Sequence, residues 1–414
     1  MTGRAFSLLL LAADSGPEGT ARGAGAPAGN WPLIAVLVGG AILVALFILY
    51  LVKYLRLAVN LFLDTPLPVT ASLHDYTPPE GEVVWFRSME GRQLRGMFID
   101  RPPGAADRGT IIFCHEFGSD MLSAGRYALA LVGAGYTVFT FDFRGQGGSF
   151  HPTHYEPRHW PSNYEVHDVL AAVAYVKSQR PTEAARVGIL GISRGAGAAL
   201  IAAALTTDIS CLAVDGAFST DRSIDGLLKR WVQIFARVDL ARADRSMTAY
   251  RFFRALMMFY VELKCRCRFP STRRALAKLQ HVPILFIHGE RDAYVPPEQT
   301  RALYEAKPGP KALWTCPGAK HNQAVATDPD TYHRTLRDFF GRHLAGAAGR
   351  REDTSGRRED ASGRQDTAPP EADGTAPAGA EGSERDEPAG RRGRAEASGA
   401  ADVPSADAAG GPTP

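Results

Sequence analysis

Between residues 73 and 344, short apolar runs alternate with longer segments of helical composition, and this rhythm restricts the fold more than any other feature. The runs are TIIFCHE, YTVFTFDF, VGILGIS, CLAVDGAF, PILFIHGE and KALWTCPG. Each is mostly apolar throughout rather than alternating, which is how strands buried on both faces read. AGRYALALVGAG, YEVHDVLAAVAYVKSQ and AGAALIAAALTT separate most of them with helix-forming sequence. Upstream, GEVVWFRS and QLRGMFID flank Glu90-Gly91 as a hairpin. The pattern predicts an α/β fold, with a mostly parallel central sheet and helices on both faces. Right-handed crossovers would bring the strand C-termini to one edge, where ligands bind in open sheets.

The rest of the chain divides by composition. From Trp31 to Leu51 there is no charged residue. About 20 such residues at 1.5 Å each cover the roughly 30 Å apolar core of a bilayer. A transmembrane helix is expected over residues 31–55, after a flexible segment 1–30 and before a linker 56–72. The run Phe6–Ala13 is too short to span, so a single anchor is expected rather than a cleaved signal. Lys53 and Arg56 follow the span and only Arg22 lies close before it. That bias puts the domain on the cytoplasmic side of a cell membrane. Residues 345–414 carry GRREDTS, GRREDAS and GRQDT, then Gly, Ala, Pro and mixed charge. With hardly a large apolar side chain, such a tail cannot offset its ordering entropy and is expected to be disordered.

The net charge of +3 gives no argument for nucleic acid as a partner. The five cysteines follow neither a disulfide framework nor a CxxC metal pattern, and they fit a reducing compartment best. Cys265 and Cys267 sit two apart among arginines, and Cys114 reads as a small buried hydrophobe. His151, His154 and His159 cluster in HPTHYEPRHW, but no cysteine or carboxylate pattern completes a zinc site there. No metal or organic cofactor is expected.

Gly191-Ile192-Ser193-Arg194-Gly195 is a G-x-S-x-G sequence between a strand and a small-residue helix. In that setting the serine sits on a strained turn with its hydroxyl above the sheet. The bland alternative is a tight turn with Ser193 as a helix N-cap. A serine nucleophile needs a base, and the base needs an orienting acid, in the chain order Ser, acid, His. IHGERDAYVPP supplies Asp292 just past one buried strand, and CPGAKHNQAV supplies His321 past the next. Asp215, ending the strand before the long insertion, is an alternative acid. The backbone amides of Arg194 and Phe117 are candidate oxyanion donors. Asp142 and Arg144 in FDFRGQGGS read as stabilisers of a glycine-rich loop.

Taken in order, CHEFGSD, FDFRGQGGS, GISRGAG, IHGERDAYVP and GAKHN make residues 73–344 resemble the α/β-hydrolase superfamily. The likeness is to membrane-anchored serine hydrolases, with similarity in the middle to serine aminopeptidase-type and acyl-peptidase-like members. It implies Ser193 as nucleophile, Asp292 as acid and His321 as base. In many members a glycine follows the histidine of the oxyanion loop; here Glu116 stands in its place.

Residues 219–281 exceed what a minimal hydrolase needs, and the resemblance implies a helical cap. The segment carries Trp231, Phe235, Phe252, Phe253, Phe259 and Tyr260 beside Lys229, Arg230, Arg251, Lys264, Arg266 and Arg268. One expectation is contact with an anionic bilayer surface and admission of an acyl chain. The other is ordinary core packing with solvated arginines. The expected activity is hydrolysis of an acyl ester or thioester in a small-molecule or lipid-like substrate. Amide cleavage and a non-catalytic binding role are the alternatives.

Overall fold

The computed structural model describes residues 30–64, 77–182, 185–226, 228 and 247–344. The segment expected to be flexible, over residues 1–29, the expected linker over 65–72 and the expected tail 345–414 lie outside the described residues, as do Trp231, Phe235, Lys229 and Arg230 of the expected cap.

Eight strands form one sheet: β1 (Glu82–Arg87), β2 (Gln93–Ile99), β3 (Thr110–Cys114), β4 (Thr137–Phe141), β5 (Val187–Ile192), β6 (Ile209–Asp215), β7 (Ile284–Gly289) and β8 (Lys311–Cys316). Their order is β1-β2-β4-β3-β5-β6-β7-β8. β1, β2 and β4 pair antiparallel, and every pairing from β4 across to β8 is parallel. The expected mostly parallel sheet is therefore present, with the Glu90-Gly91 hairpin at one edge. Gly91 takes φ 77°, the left-handed conformation that a tight turn asks of glycine.

Successive residues of the central strands point to opposite faces, and both faces are covered. Ile112, Phe139, Ile189, Leu212 and Phe286 pack on one side, against α2 (Asn163–Gln179) and α3 (Arg194–Ala203). Ile111, Phe113, Val138, Leu190 and Ile287 pack on the other, with Tyr332, Leu336 and Phe340 of the C-terminal helix (Pro329–Leu344). Two buried faces explain the absence of polar alternation in these strands. The sequence AGRYALALVGAG does not form one helix. It gives two short ones, Ala124–Tyr127 and Leu129–Gly133, separated at Ala128.

The N-terminal helix α1 runs Trp31–Asp64, 34 residues, so the expected end at Leu55 and the linker from residue 56 are corrected. The reason is a second, amphipathic pattern. Ala58, Val59, Phe62 and Leu63 lie at i, i+1, i+4 and i+5, on one helix face. All four are buried against Trp160, Phe218, Met257, Val261, Phe269 and Val295. The Phe62 ring stacks on Trp160 at 5.5 Å between centroids and meets Phe269 edge-on at 5.4 Å. Arg158 donates to the Leu63 carbonyl, one of the helix-end acceptors without an intrahelical donor. The large apolar side chains from Trp31 to Tyr50 are exposed, and the helix is long and apolar enough to cross a membrane.

Val261 and Met257 belong to α4 (Met247–Cys265), in the expected cap. The same helix leaves Phe252, Phe259, Tyr260 and Leu263 exposed. The described part of the cap is thus mostly helical, with aromatics divided between packing and solvent-facing positions.

Candidate active site

Ser193 sits at the junction of β5 and α3 with φ 51° and ψ −111°. A left-handed φ on a side-chain-bearing residue costs of order 1–3 kcal/mol and persists only when its surroundings enforce it. Here they do. The Ser193 amide donates to the Asp215 carbonyl at 2.7 Å, and its own carbonyl accepts from Gly197. The two flanking glycines permit the corner. A Cβ on Gly195 would fall on the Cys114 carbonyl and lie 2.5 Å from that of His115. A Cβ on Gly191 would lie 2.7 Å from Ala196 Cα.

The parallel topology delivers the partners to the same edge. Asp292 follows β7 and His321 follows β8. The Ser193 hydroxyl donates to His321 Nε2 at 2.9 Å, and His321 Nδ1–H donates to Asp292 Oδ2 at 2.6 Å. The other carboxylate oxygen, Asp292 Oδ1, accepts from the amides of Tyr294 at 2.9 Å and Val295 at 2.7 Å. Those two bonds fix the acid, and the acid fixes the ring's tautomer and rotation. Tyr294 adds an edge-on contact to the imidazole at 4.9 Å. Gly216, φ 63°, leaves space for the ring, since a Cβ there would come 3.0 Å from His321 Cε1. All three side chains are largely buried, with His321 the most accessible at 9%. The arrangement can remove a proton from the hydroxyl and hold it on a stabilised imidazolium.

Arg194 opens α3, so its amide is among the first-turn donors that have no intrahelical acceptor. Its side chain turns inward, with the guanidinium 5.5 Å from the Phe117 ring centroid and 5.2 Å from that of Phe143. Phe117 thus lies against the residue that follows Ser193. Before it, His115 is buried and held neutral. Its Nδ1–H donates to the Glu116 carbonyl at 2.7 Å, and Nε2 accepts from the Phe143 amide at 3.3 Å. Burial lowers its pKa to about 3. The Glu116 carboxyl turns toward Ser123 and Tyr127, whose hydroxyls lie 3.4 Å from it. Burial raises its pKa, so less of it is ionised than of an exposed glutamate.

The alternative acid, Asp215, is buried at the end of β6 and does not hydrogen-bond His321, whose Nδ1 is engaged by Asp292. Burial raises its pKa to about 7. Asp142 and Arg144 act as read. Asp142 accepts from the amides of Met121 and Gly148, both at 2.7 Å, while Arg144 engages Asp168 at 2.5 Å and Glu90 at 2.8 Å.

Sequence reasoning missed what holds the Arg194 side chain. It donates to Gln146 Oε1 at 2.5 Å and the Arg158 carbonyl at 3.0 Å, and it faces Glu165 at 3.6 Å. A signal was present: Ser162-x-x-Glu165 is a capping box, and it forms at the start of α2. His151, His154 and His159 do not converge on a metal; among the described residues no group of three or more histidine, cysteine or carboxylate side chains is arranged to hold one.

The profile of the Alpha/beta hydrolase family matches residues 111–335. The uncharacterized protein YqkD of Bacillus subtilis (strain 168) is 29% identical over 238 residues, covering 56% of this chain and 70% of that protein. The uncharacterized protein YfhR of Escherichia coli (strain K12) is 24% identical over 305 residues, 71% of this chain and 93% of that one. Among solved structures, the esterase Pf2001 of Pyrococcus furiosus aligns with a TM-score of 0.47 and 22% identity over 66% of this chain and 98% of that chain.

Proposed function

This chain belongs to the Alpha/beta hydrolase family, and from that premise we propose that it is a membrane-anchored serine hydrolase cleaving acyl esters or thioesters. The observation that carries the reading is the unbroken relay from the Ser193 hydroxyl through His321 to Asp292, at 2.9 and 2.6 Å. Ser193 attacks the acyl carbonyl while His321 takes its proton. Asp292 keeps Nδ1–H oriented and stabilises the imidazolium. Charge develops on the carbonyl oxygen, where the amides of Arg194 and Phe117 are the assigned donors. His321 then protonates the leaving group, and an acyl-enzyme on Ser193 remains. Water, activated by the same histidine, releases the acid.

The substrate side of the proposal rests on α1 and the cap. The helix is of membrane-spanning length, and its buried distal face shares a cluster with Val295, three residues past Asp292. A site held this close to an anchor suits a lipid-like acyl substrate. Lys53 and Arg56 support a cytoplasmic domain.

Labelling with a fluorophosphonate tests the reading. The folded protein should be labelled at Ser193, and Ser193→Ala should abolish the signal. Absence of labelling in folded protein would support the other reading, a binding protein whose oxyanion loop is spoiled by Glu116. A panel of acyl esters, thioesters and amides then ranks the leaving group, with preference for amides favouring the peptidase-like alternative.

A further inference from the structure

We propose that Cys265 and Cys267 form a thiol–disulfide exchange site that takes a small, carboxylate-bearing disulfide. The site is separate from Ser193 and does not depend on its chemistry.

The geometry begins with Arg266. It lies between the two cysteines with φ 50°, a left-handed conformation in a residue with a side chain. The turn is pinned on several sides. The Cys267 amide donates to the Glu262 carbonyl at 3.2 Å, and the Tyr164 hydroxyl donates to the Arg266 carbonyl at 3.0 Å. The Arg268 amide donates to Asn163 Oδ1 at 2.7 Å, and the Asn163 amide donates back to the Arg268 carbonyl at 2.9 Å. A turned backbone keeps Cα atoms two residues apart within the roughly 4.4–6.8 Å that a disulfide bridges.

Exposure and charge separate the two sulfurs. Cys267 is buried in the cap cluster, whereas Cys265 is half-buried and lines a cavity of about 520 Å³. His151, His154, Arg158 and Lys264 line the same cavity, with Glu156 as the opposing carboxylate, paired to Arg158 at 2.8 Å. The hydrogen bond from Cys267, opposed by burial and aided by Arg158 and Lys264, lowers the Cys265 thiol to about 7. Burial pushes Cys114, Cys211 and Cys316 the other way, and the neighbouring Cys265 together with burial raises Cys267, an effect of Cys265 that ends once its sulfur is in a mixed disulfide. Of the five thiols, Cys265 alone combines access, thiolate character and a neighbouring resolving thiol.

The exchange balances without a further reagent. The Cys265 thiolate attacks one sulfur of the small disulfide, breaking its S–S bond. One thiolate leaves and is protonated by water. Cys267, losing its proton to solvent, attacks the Cys265 sulfur and expels the second thiolate. The protein dithiol is oxidised by two electrons, and the small disulfide is reduced to two thiols.

The test uses the full chain in detergent micelles with oxidised glutathione. After unfolding and alkylation, two of the five thiols should be protected, and a chymotryptic map should join Cys265 to Cys267. Cys267→Ser should stop the reaction at a stable glutathione adduct on Cys265, and Cys265→Ser should give neither product. Lys264→Gln should slow the glutathione reaction by about threefold more than it slows neutral bis(2-hydroxyethyl) disulfide, which feels only the lost support for the Cys265 thiolate. The site is overturned if Cys265 reacts no faster than Cys114, or if the mapped disulfide joins another pair. Equal slowing with both reagents overturns the preference for a carboxylate-bearing partner. Should Cys267→Ser fail to fold, the wild-type map and Cys265→Ser still decide the matter.

Discussion

The Glu165 carboxylate lies 3.6 Å from the Arg194 guanidinium, and both side chains are fully buried. This contact joins the first turn of α2 to the residue that follows the serine corner. Glu165 also accepts from the Ser162 amide and from the Tyr155 hydroxyl, so the ion pair sits inside a larger network. Removing one member strands the other charge without water. Arg194→Met should cost about 3–5 kcal/mol, the usual penalty for orphaning a buried charge. Chemical unfolding of the solubilised protein measures it, and an unchanged midpoint would refute the assignment. Glu165→Gln, which keeps most hydrogen bonds, should cost less.

Asp292 and Asp215 stand at the ends of neighbouring strands, yet they should respond oppositely to amidation. Asp292→Asn retains shape but lets the imidazole take the wrong tautomer, so turnover should fall by roughly 10⁴-fold. Asp215→Asn should leave turnover within about tenfold, since Asp215 makes no bond to His321. Steady-state kinetics on one activated ester separates the two. The reverse ranking would transfer the acid role to Asp215.

Asp215 also predicts a pH dependence of stability. Its folded pKa is raised to about 7 by burial, from an ordinary 3.8. Between these values the folded state holds a proton that the unfolded state has lost. Its contribution to stability is therefore fully present below pH 4, declines as pH rises toward 7, and is flat above. Glu116 acts in the same direction, while His115, lowered to about 3, acts in the opposite one. The useful quantity is thus the difference between wild type and Asp215→Asn. That difference should shift progressively against the wild type from pH 4 to 7; a pH-independent difference would exclude a buried carboxyl that titrates with folding.

Much of this architecture was legible in the chain because the strands are buried on both faces and carry almost no polar interruption. Ile111–Cys114 and Val187–Ile192 are examples. Given parallel strands, residues just past β5, β7 and β8 must share an edge, and the G-x-S-x-G corner with the Ser, acid, His order singled out Ser193, Asp292 and His321 there. The end of α1 was not legible in the same way. Arg56 and Asn60 interrupt the uniform apolar run, and the one-sided pattern of Ala58, Val59, Phe62 and Leu63 becomes meaningful only when a groove exists to receive it. The inward turn of Arg194 was hidden for a related reason. A buried arginine is unfavourable until partners from Gln146, Arg158 and Glu165 converge on it, and they come from separate loops and helices.

Gly195→Ala should damage catalysis more than its single added carbon suggests. The new Cβ would meet the Cys114 and His115 carbonyls, which are rigid backbone and cannot rotate away. Either α3 or the loop before Phe117 must move. A shift of either displaces a proposed oxyanion donor, and loss of one such donor costs about 10²–10³ in kcat. Kinetics paired with thermal unfolding distinguishes displacement from collapse. A variant that folds normally and keeps wild-type kcat would remove the Arg194 and Phe117 amides from the mechanism.

Phe62 tests whether α1 is part of the folded domain or merely precedes it. Its ring is buried between Trp160 and Phe269, and Trp160 in turn packs edge-on against Phe218, which follows β6. Phe62→Ala removes both ring contacts and leaves a void that neighbouring aromatics cannot fill by rotation, a change that costs about 3–5 kcal/mol in a tight core. If α1 is integral, the whole domain should unfold at lower denaturant and Trp160 should become more accessible to a polar quencher. If α1 merely rests on the surface, its distal turns will fray while the global midpoint holds, and quenching will rise without any loss of stability. The stacking at 5.5 Å and the Arg158 contact to the Leu63 carbonyl predict the first outcome, because both ends of the docked segment are held by the domain.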